Sequence, residues 1–241
     1  MADEIFRHPR LAAIYDVLEP ARIDLDAYLD IAGQFDAKRV LDIGCGTGVF
    51  ALLLAGRGIE VVGVDPAQAS LDVARAKPGS ERVHWICGDA TTLPPLQVDL
   101  VTMTANAAQQ IADPDAWRQT LTGAREALRP GGFLVFETRN PAARAWEAWK
   151  PEVSLRTTTL PKAGTVETWG EVIEMNLPLV TFRWHYTFTA DGEHVTSDST
   201  LRFRERQEVE ADLTAQGYRL REVRDALDRP GKEFVFVAQR P

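Results

Sequence analysis

Val40-Leu41-Asp42-Ile43-Gly44-Cys45-Gly46-Thr47-Gly48 is the stretch that decides the fold. Val40, Leu41 and Ile43 read as a buried β-strand that ends in a glycine-rich turn. Gly44, Gly46 and Gly48 let the backbone turn tightly and admit a ligand close to the main chain. The next run, Val49 to Ala55, reads as a helix. Its first N–H groups lack intrahelical partners and point at that ligand.

Outward from there the pattern repeats. Strand 40–43 is followed by helix 48–57, strand 60–64 by helix 67–76, and strand 82–86 by a loop through Pro94-Pro95. Val98 to Met103 is a fourth strand. Pro114 suits the first turn of helix 114–128, and Phe133 to Glu137 is a fifth strand. Near the end, Glu208 to Gln216 reads as a helix with Gly217 as its cap, before strands Tyr218 to Val223 and Phe234 to Ala238. Apolar strands alternating with amphipathic helices predict an α/β fold with a parallel sheet covered on both faces. Ligands of such sheets bind outside the carboxyl ends of the strands. The positions to read are therefore Gly44 to Gly48, Asp65-Pro66, Asp89-Ala90, Thr104 to Asn106, and Glu137 to Asn140.

The glycine spacing departs from the dinucleotide fingerprint, whose last small residue would fall on Val49. Asp42-x-Gly44-x-Gly46-x-Gly48 instead resembles motif I of class I S-adenosylmethionine-dependent methyltransferases. Three later features fall where that family places them. Strand Val61 to Val64 ends in Asp65, about twenty residues after the loop, the spacing of a ribose-binding acid. Strand Val83 to Ile86 leads to Gly88-Asp89-Ala90, and Leu128 to Phe136 is similar to the family's helix–turn–strand. The likeness is strong over residues 36–139 and looser over 205–240. It implies a Rossmann-like, seven-stranded, mostly parallel sheet with an antiparallel last strand beside the fifth, and S-adenosylmethionine as cofactor, S-adenosylhomocysteine being the product.

The resemblance also assigns roles. Backbone groups of Gly44 and Gly46 would approach the methionyl and ribose portions. Asp65 has two acceptor oxygens for neighbouring ribose hydroxyls. Asp89 would accept from the adenine amino group, with the Ala90 N–H near a ring nitrogen. Asp42 would lie beneath the loop, acting through water or by ordering glycine N–H groups. Cys45, Pro66 and Thr104 complete the expected cofactor set. Asn106 and Gln109, after the fourth strand, are expected substrate contacts, with Arg139 and Trp149 at the substrate mouth. Each carboxylate alone has an ordinary reading as a helix cap or turn; the ordered spacings favour the functional one.

Residues 1–35 precede the core as a helical cap. Leu11, Ile14, Tyr15 and Leu18 have helical spacing, with Pro20 at the expected end, and Asp24 to Phe35 reads as a second helix. In related enzymes such a segment closes over the cofactor. The resemblance then places Tyr15, of the Tyr15-Asp16 pair, and Arg22 near the methionyl end. Residues 141–204 interrupt the core, which spans 36–140 and 205–241. After a short helix carrying Trp146 and Trp149, three strand-like runs cover about 165–176, 179–189 and 195–203, with Asp191-Gly192 as a hairpin turn. This predicts a small antiparallel three-stranded insert. Val180, Phe182, Trp184, Tyr186 and Phe188 form its aromatic face; Arg183 and His185 lie on the other. That aromatic face needs a partner, either the main domain or a second subunit in a homodimer through 165–203. Histidine has the pKa of a base near neutrality, which makes His185 a candidate catalytic residue; Tyr15, placed by the resemblance near the methionyl end, is the other.

Composition narrows the function. The chain has 241 residues, 45% hydrophobic, with a net charge of −8 and a pI of about 5.1. An acidic chain argues against tracking phosphates, so nucleic acid is not the expected substrate. Two cysteines, Cys45 and Cys87, read as packing residues rather than a disulfide, which suits a reducing cytoplasm. No signal peptide and no run of membrane-spanning length is expected. A nicotinamide oxidoreductase is disfavoured by the glycine spacing and by the lack of a tyrosine followed four residues later by lysine. Nucleic-acid methylation is disfavoured by Asn106-Ala107-Ala108-Gln109, which is not an Asn-Pro-Pro-aromatic motif. No Asp-Asn pair follows the fifth strand, so no metal is expected. The reading is metal-independent methyl transfer to a small-molecule N or O acceptor. The alternative is a non-catalytic cofactor-binding or assembly module with the same fold.

Overall fold

In the computed structural model, residues 2–19, 22–161 and 164–241 are described. Pro20, expected to end the first helix, lies outside them. Eleven strands form two sheets among the described residues. Seven belong to the larger: β1 (Arg39–Ile43), β2 (Glu60–Asp65), β3 (Val83–Cys87), β4 (Val98–Met103), β5 (Leu128–Arg139), β10 (Arg219–Asp225) and β11 (Glu233–Gln239). Their order is β10-β11-β5-β4-β1-β2-β3. β1 to β5 pair in parallel, and β11 runs antiparallel to both β5 and β10.

Most core elements fall within a few residues of expectation, because their apolar periodicity is strong; β5 begins at Leu128, five residues before the expected Phe133. Helix α4 (Val49–Gly56) follows β1 and α5 (Gln68–Arg75) follows β2. Helix α7 (Pro114–Ala127) shows how locally its start is written. Pro114 occupies the first turn, and the Asp113 side chain accepts from Asp115 and Ala116 N–H, satisfying donors the helix leaves free. Its buried stripe is Trp117, Leu121, Ala124 and Ala127, at helical spacing. Helix α9 (Arg206–Ala215) ends at Gly217, whose φ is +78°. The N–H groups of Gly217 and Tyr218 return to Thr214 and Leu213 carbonyls, the expected glycine cap. One apolar core lies between the sheet and α7 and α9; the other gathers α4 and α3 (Asp24–Gln34).

The insert departs from expectation in strand number. It has four antiparallel strands: β6 (Arg156–Leu160), β7 (Gly164–Asn176), β8 (Leu179–Phe188) and β9 (His194–Arg202). The additional β6, Arg-Thr-Thr-Thr-Leu, is an edge strand, mostly exposed. An edge with little burial needs no apolar alternation, so its only signal was β-branched composition. β8 alternates as read, with Val180, Phe182, Tyr186 and Phe188 buried.

The chain itself supplies the partner for that aromatic face. Ile5 of helix α1 (Glu4–Arg7) and Leu11 and Ile14 of α2 (Pro9–Leu18) pack with Tyr186 and Phe188. Trp146 and Phe203 pack with Val180 and Phe182. Polar ties reinforce this: Ser197 Oγ accepts from Ile5 N–H at 2.9 Å, and Ser199 Oγ donates to Asp3 at 2.6 Å. Arg10 lies 3.6 Å above the Phe188 ring and pairs with Asp191 and Glu193. The N-terminal helices therefore bridge the insert to α5 of the main domain, where the Ser70 hydroxyl donates to the Phe6 carbonyl at 2.8 Å.

Candidate functional site

Strand order reverses direction at β1, with β2 and β3 on one side and β4 and β5 on the other. At such a switch point the loops leave in opposite directions and open a crevice. A cavity of about 520 Å³ sits there, within the size of small-molecule cofactor sites. Tyr15, Arg22, Gly44, Cys45, Gly46, Asp65, Pro66, Asp89, Ala90 and Thr104 all line it. These are the expected cofactor residues with the exception of Asp42.

The glycine loop forms as its residues require. Gly44, Gly46 and Gly48 all have positive φ (73°, 54° and 79°). A Cβ on Gly46 would meet nothing within 4 Å, so the backbone there faces open cavity. Asp65 fixes the loop from below. Its Oδ2 accepts from Gly46 N–H and its Oδ1 from Ala67 N–H, both at 2.8 Å. Burial raises its pKa despite these bonds. Asp89 is exposed and its Oδ1 accepts from the Thr91 N–H and hydroxyl.

Asp42 lies under the loop but does not order glycine N–H groups; Asp65 does. Asp42 Oδ1 accepts from the Thr102 hydroxyl at 2.9 Å, and its Oδ2 is buried with no partner. Burial pushes its pKa up to about 7, with the Asp65 charge adding and Thr102 and Arg22 opposing.

The N-terminal helices close one side. Phe6 and Tyr15 line the cavity with ring centres 5.6 Å apart. Asp16 latches α2 to the loop, accepting from Thr47 Oγ1 at 2.6 Å and pairing with Lys77, whose ammonium also reaches the Thr47 carbonyl at 2.7 Å. Arg22 is held by a two-pronged pair with Asp24. Burial raises the Tyr15 pKa, so its phenol is neutral near pH 7 and serves as a hydrogen-bonding group.

The expected substrate residues fall elsewhere. None of Asn106, Gln109, Arg139 and Trp149 lines the cavity. Asn106 and Gln109 are buried. Gln109 Oε1 accepts from Arg139 N–H and Nη1 at 3.2 and 3.1 Å, and the Arg139 guanidinium stands 6.0 Å from the Trp149 ring. Gln110, one residue along the short helix α6 (Ala107–Gln110), reaches the cavity instead. His185 is not brought to it either. On the outer face of β8 its ring stacks on Trp169 at 3.6 Å and bonds Glu171 and His194. The alternation of β8 already put His185 opposite the packed face. Phe6, Thr47 and Met103 also line the cavity; Thr47 and Met103 adjoin expected positions, whereas Phe6 carried no signal in the sequence.

Residues 40–132 match the family model of a methyltransferase domain. The chain is 36% identical over 147 residues to a biotin biosynthesis bifunctional protein of Cellvibrio japonicus, covering 57% of this chain and 28% of that one. It is 33% identical over 173 residues to a ubiquinone biosynthesis O-methyltransferase of a Ruegeria species, covering 65% and 66%. The chain thus spans about a quarter to two thirds of the length of these relatives. Among solved structures it is similar in fold to an amino pentose methyltransferase of Micromonospora echinaspora, solved with S-adenosylmethionine bound. There the TM-score is 0.71 at 24% identity, over 95% of this chain and 97% of that one.

Proposed function

We propose, from the match of residues 40–132 to a methyltransferase domain, that the chain is a class I S-adenosylmethionine-dependent methyltransferase that methylates a small-molecule N or O acceptor without a metal. The observation that carries the reading is the cavity over the glycine loop, with Asp65 bonded to Gly46 beneath it. Two features fit the cofactor. Gly46 leaves open space where a side chain would intrude. The partnerless Asp42 Oδ2 suits the cofactor's ammonium group through a bridging water.

When bound, the cofactor supplies a methyl group on a sulfonium, ready for in-line displacement. The chain's own contribution is placement, which alone can supply several kcal/mol, roughly 7–11 in the best cases. Asp65 would exchange its backbone partners for ribose hydroxyls, and Ala90 would hold the adenine edge beside Asp89. Tyr15 and Arg22, on the latched cap, would orient the methionyl end and exclude water. No histidine lines the cavity among the described residues, which favours proximity over general-base catalysis. Arg139, held by Gln109 near Trp149 and outside that cavity, is the proposed acceptor contact.

The acceptor is small in this reading, and the net charge of −8 disfavours nucleic acid. No helix among the described residues is long and apolar enough to cross a membrane. A cytoplasmic location rests on the two free cysteines. A homodimer through the insert would have to use its outer face, since the aromatic one is covered; light scattering of the purified protein tests it. Titration with S-adenosylmethionine and S-adenosylhomocysteine tests the cofactor, and an acceptor screen read by homocysteine release tests turnover. Binding without turnover of any acceptor would favour the non-catalytic module.

A further inference from the structure

Ala105 and Asn106, just past β4, both have left-handed backbones, with φ of +55° and +59°. Two consecutive non-glycine residues in that region need outside support. Buried side chains distant in sequence provide it. Glu137 Oε1 accepts from the Asn106 N–H at 3.0 Å, and its other oxygen accepts from the Tyr28 hydroxyl. Asn106 Nδ2 donates to Glu233 Oε1 at 2.9 Å, and Arg229 lies 3.0 Å from the same oxygen. Glu137, Asn106, Glu233 and Tyr28 are each 2–3% exposed.

The turn is part of the cavity. Thr104, Ala105 and Ala107 line it, whereas Glu137 and Tyr28 do not; they border a separate 120 Å³ space behind. Ala107 also bears on the glycine loop, for a Cβ on Gly44 would come within 2.9 Å of the Ala107 Cβ. Moving the turn therefore changes the gap between two cavity walls. Sheet order says which end is affected. If the ribose is at Asp65 after β2 and the adenine at Asp89 after β3, as proposed above, the order β4-β1-β2-β3 puts the amino-acid portion on the β4 side.

We propose that Glu137 is a positioning residue for the amino-acid end of the cofactor, acting through the left-handed Ala105-Asn106 turn that it holds against the glycine loop. The proposal rests on the S-adenosylmethionine reading above. Glu137→Ala removes the acceptor for Asn106 and the partner of Tyr28. Glu137→Gln keeps an oxygen for Asn106 and a polar partner for Tyr28.

Calorimetric titration with S-adenosylhomocysteine and with 5′-methylthioadenosine, which lacks the amino-acid portion, tests it alongside thermal unfolding of the ligand-free variants. Glu137→Ala is expected to weaken homocysteine-nucleoside binding about tenfold or more, change methylthioadenosine binding less than about threefold, and be rescued by Glu137→Gln. Should the alanine variant fail to fold, Glu137→Asp, which retracts the carboxylate by one methylene, is expected to give the same selective loss. Equal loss of both ligands, or no loss of either, in a folded variant overturns the proposal. Failure of the unaltered protein to bind either ligand overturns the cofactor reading itself, and the proposal with it.

Discussion

Asp65 holds the glycine loop through Gly46 and its own following turn through Ala67. Asp65→Ala is expected to cut S-adenosylmethionine affinity by ~100-fold, since the two charge-assisted bonds proposed to the ribose would be lost. It should leave a folded protein with unfolding free energy lower by about 1–3 kcal/mol, the cost of two unpaired donors. Unchanged affinity in a titration would sink the ribose role. Gly46→Ala separates strain from obstruction. The left-handed backbone costs an alanine about 1–2 kcal/mol, and its Cβ meets no protein atom within 4 Å. The new methyl points into ligand space, so binding is expected to fall more than stability does, as parallel titration and urea unfolding would show. Both residues were legible in the sequence: Gly46 because an αL turn demands glycine locally, and Asp65 because it ends a strand about twenty residues after the loop. Gln109 and Gln110 were not separable. Which of two adjacent side chains faces a cavity depends on how α6 leaves the Asn106 turn, and that turn is held by Glu137 and Glu233 from strands far along the chain.

Helix α2 is attached at both ends of its job: Leu11 and Ile14 to the insert, Asp16 to Thr47 and Lys77. The latch is half-exposed, so an ion pair there contributes at most about 1 kcal/mol to global stability. Asp16→Ala is therefore expected to leave the unfolding midpoint nearly unchanged. Cofactor affinity should drop several-fold, because Tyr15 and Phe6 are then less firmly placed. A large fall in the midpoint with intact affinity would contradict this. The insert serves the site indirectly, by burying the apolar side of α1 and α2; none of its residues lines the cavity among those described. β8 was read correctly because one of its faces is buried. β6 was missed because almost none of it is.

At the scale of the whole molecule, the buried carboxylates Asp42 and Glu137 contribute a pH dependence of definite sign. Burial raises Asp42 from 3.8 and Glu137 from 4.5, each to about 7, the Glu233 charge adding to the latter. The folded protein then holds more protons than the unfolded chain between about pH 4 and 7. Stability contributed by these groups is present at the acid end, falls as pH rises through that window, and levels off above about 7. The change is on the order of 3–4 kcal/mol per group at most. Urea unfolding at about pH 5, 6, 7 and 8 would show the decline, and Asp42→Asn should flatten it; a rise over the same range would refute the assignment. The cofactor ammonium would favour ionised Asp42, so binding near neutrality is expected to release protons, measurable by titration in buffers of different ionisation enthalpy. What the sequence by itself determined was everything repeated at short range: the βα alternation, the glycine loop, the acids ending β2 and following β3, and the aromatic stripe of β8. The cover over that stripe, the burial of Asn106 and Gln109, and the Tyr28–Glu137–Asn106–Glu233 network were decided only in the folded chain. Each depends on residues scores of positions apart, and a polar side chain carries no periodic signature of the partner it will meet.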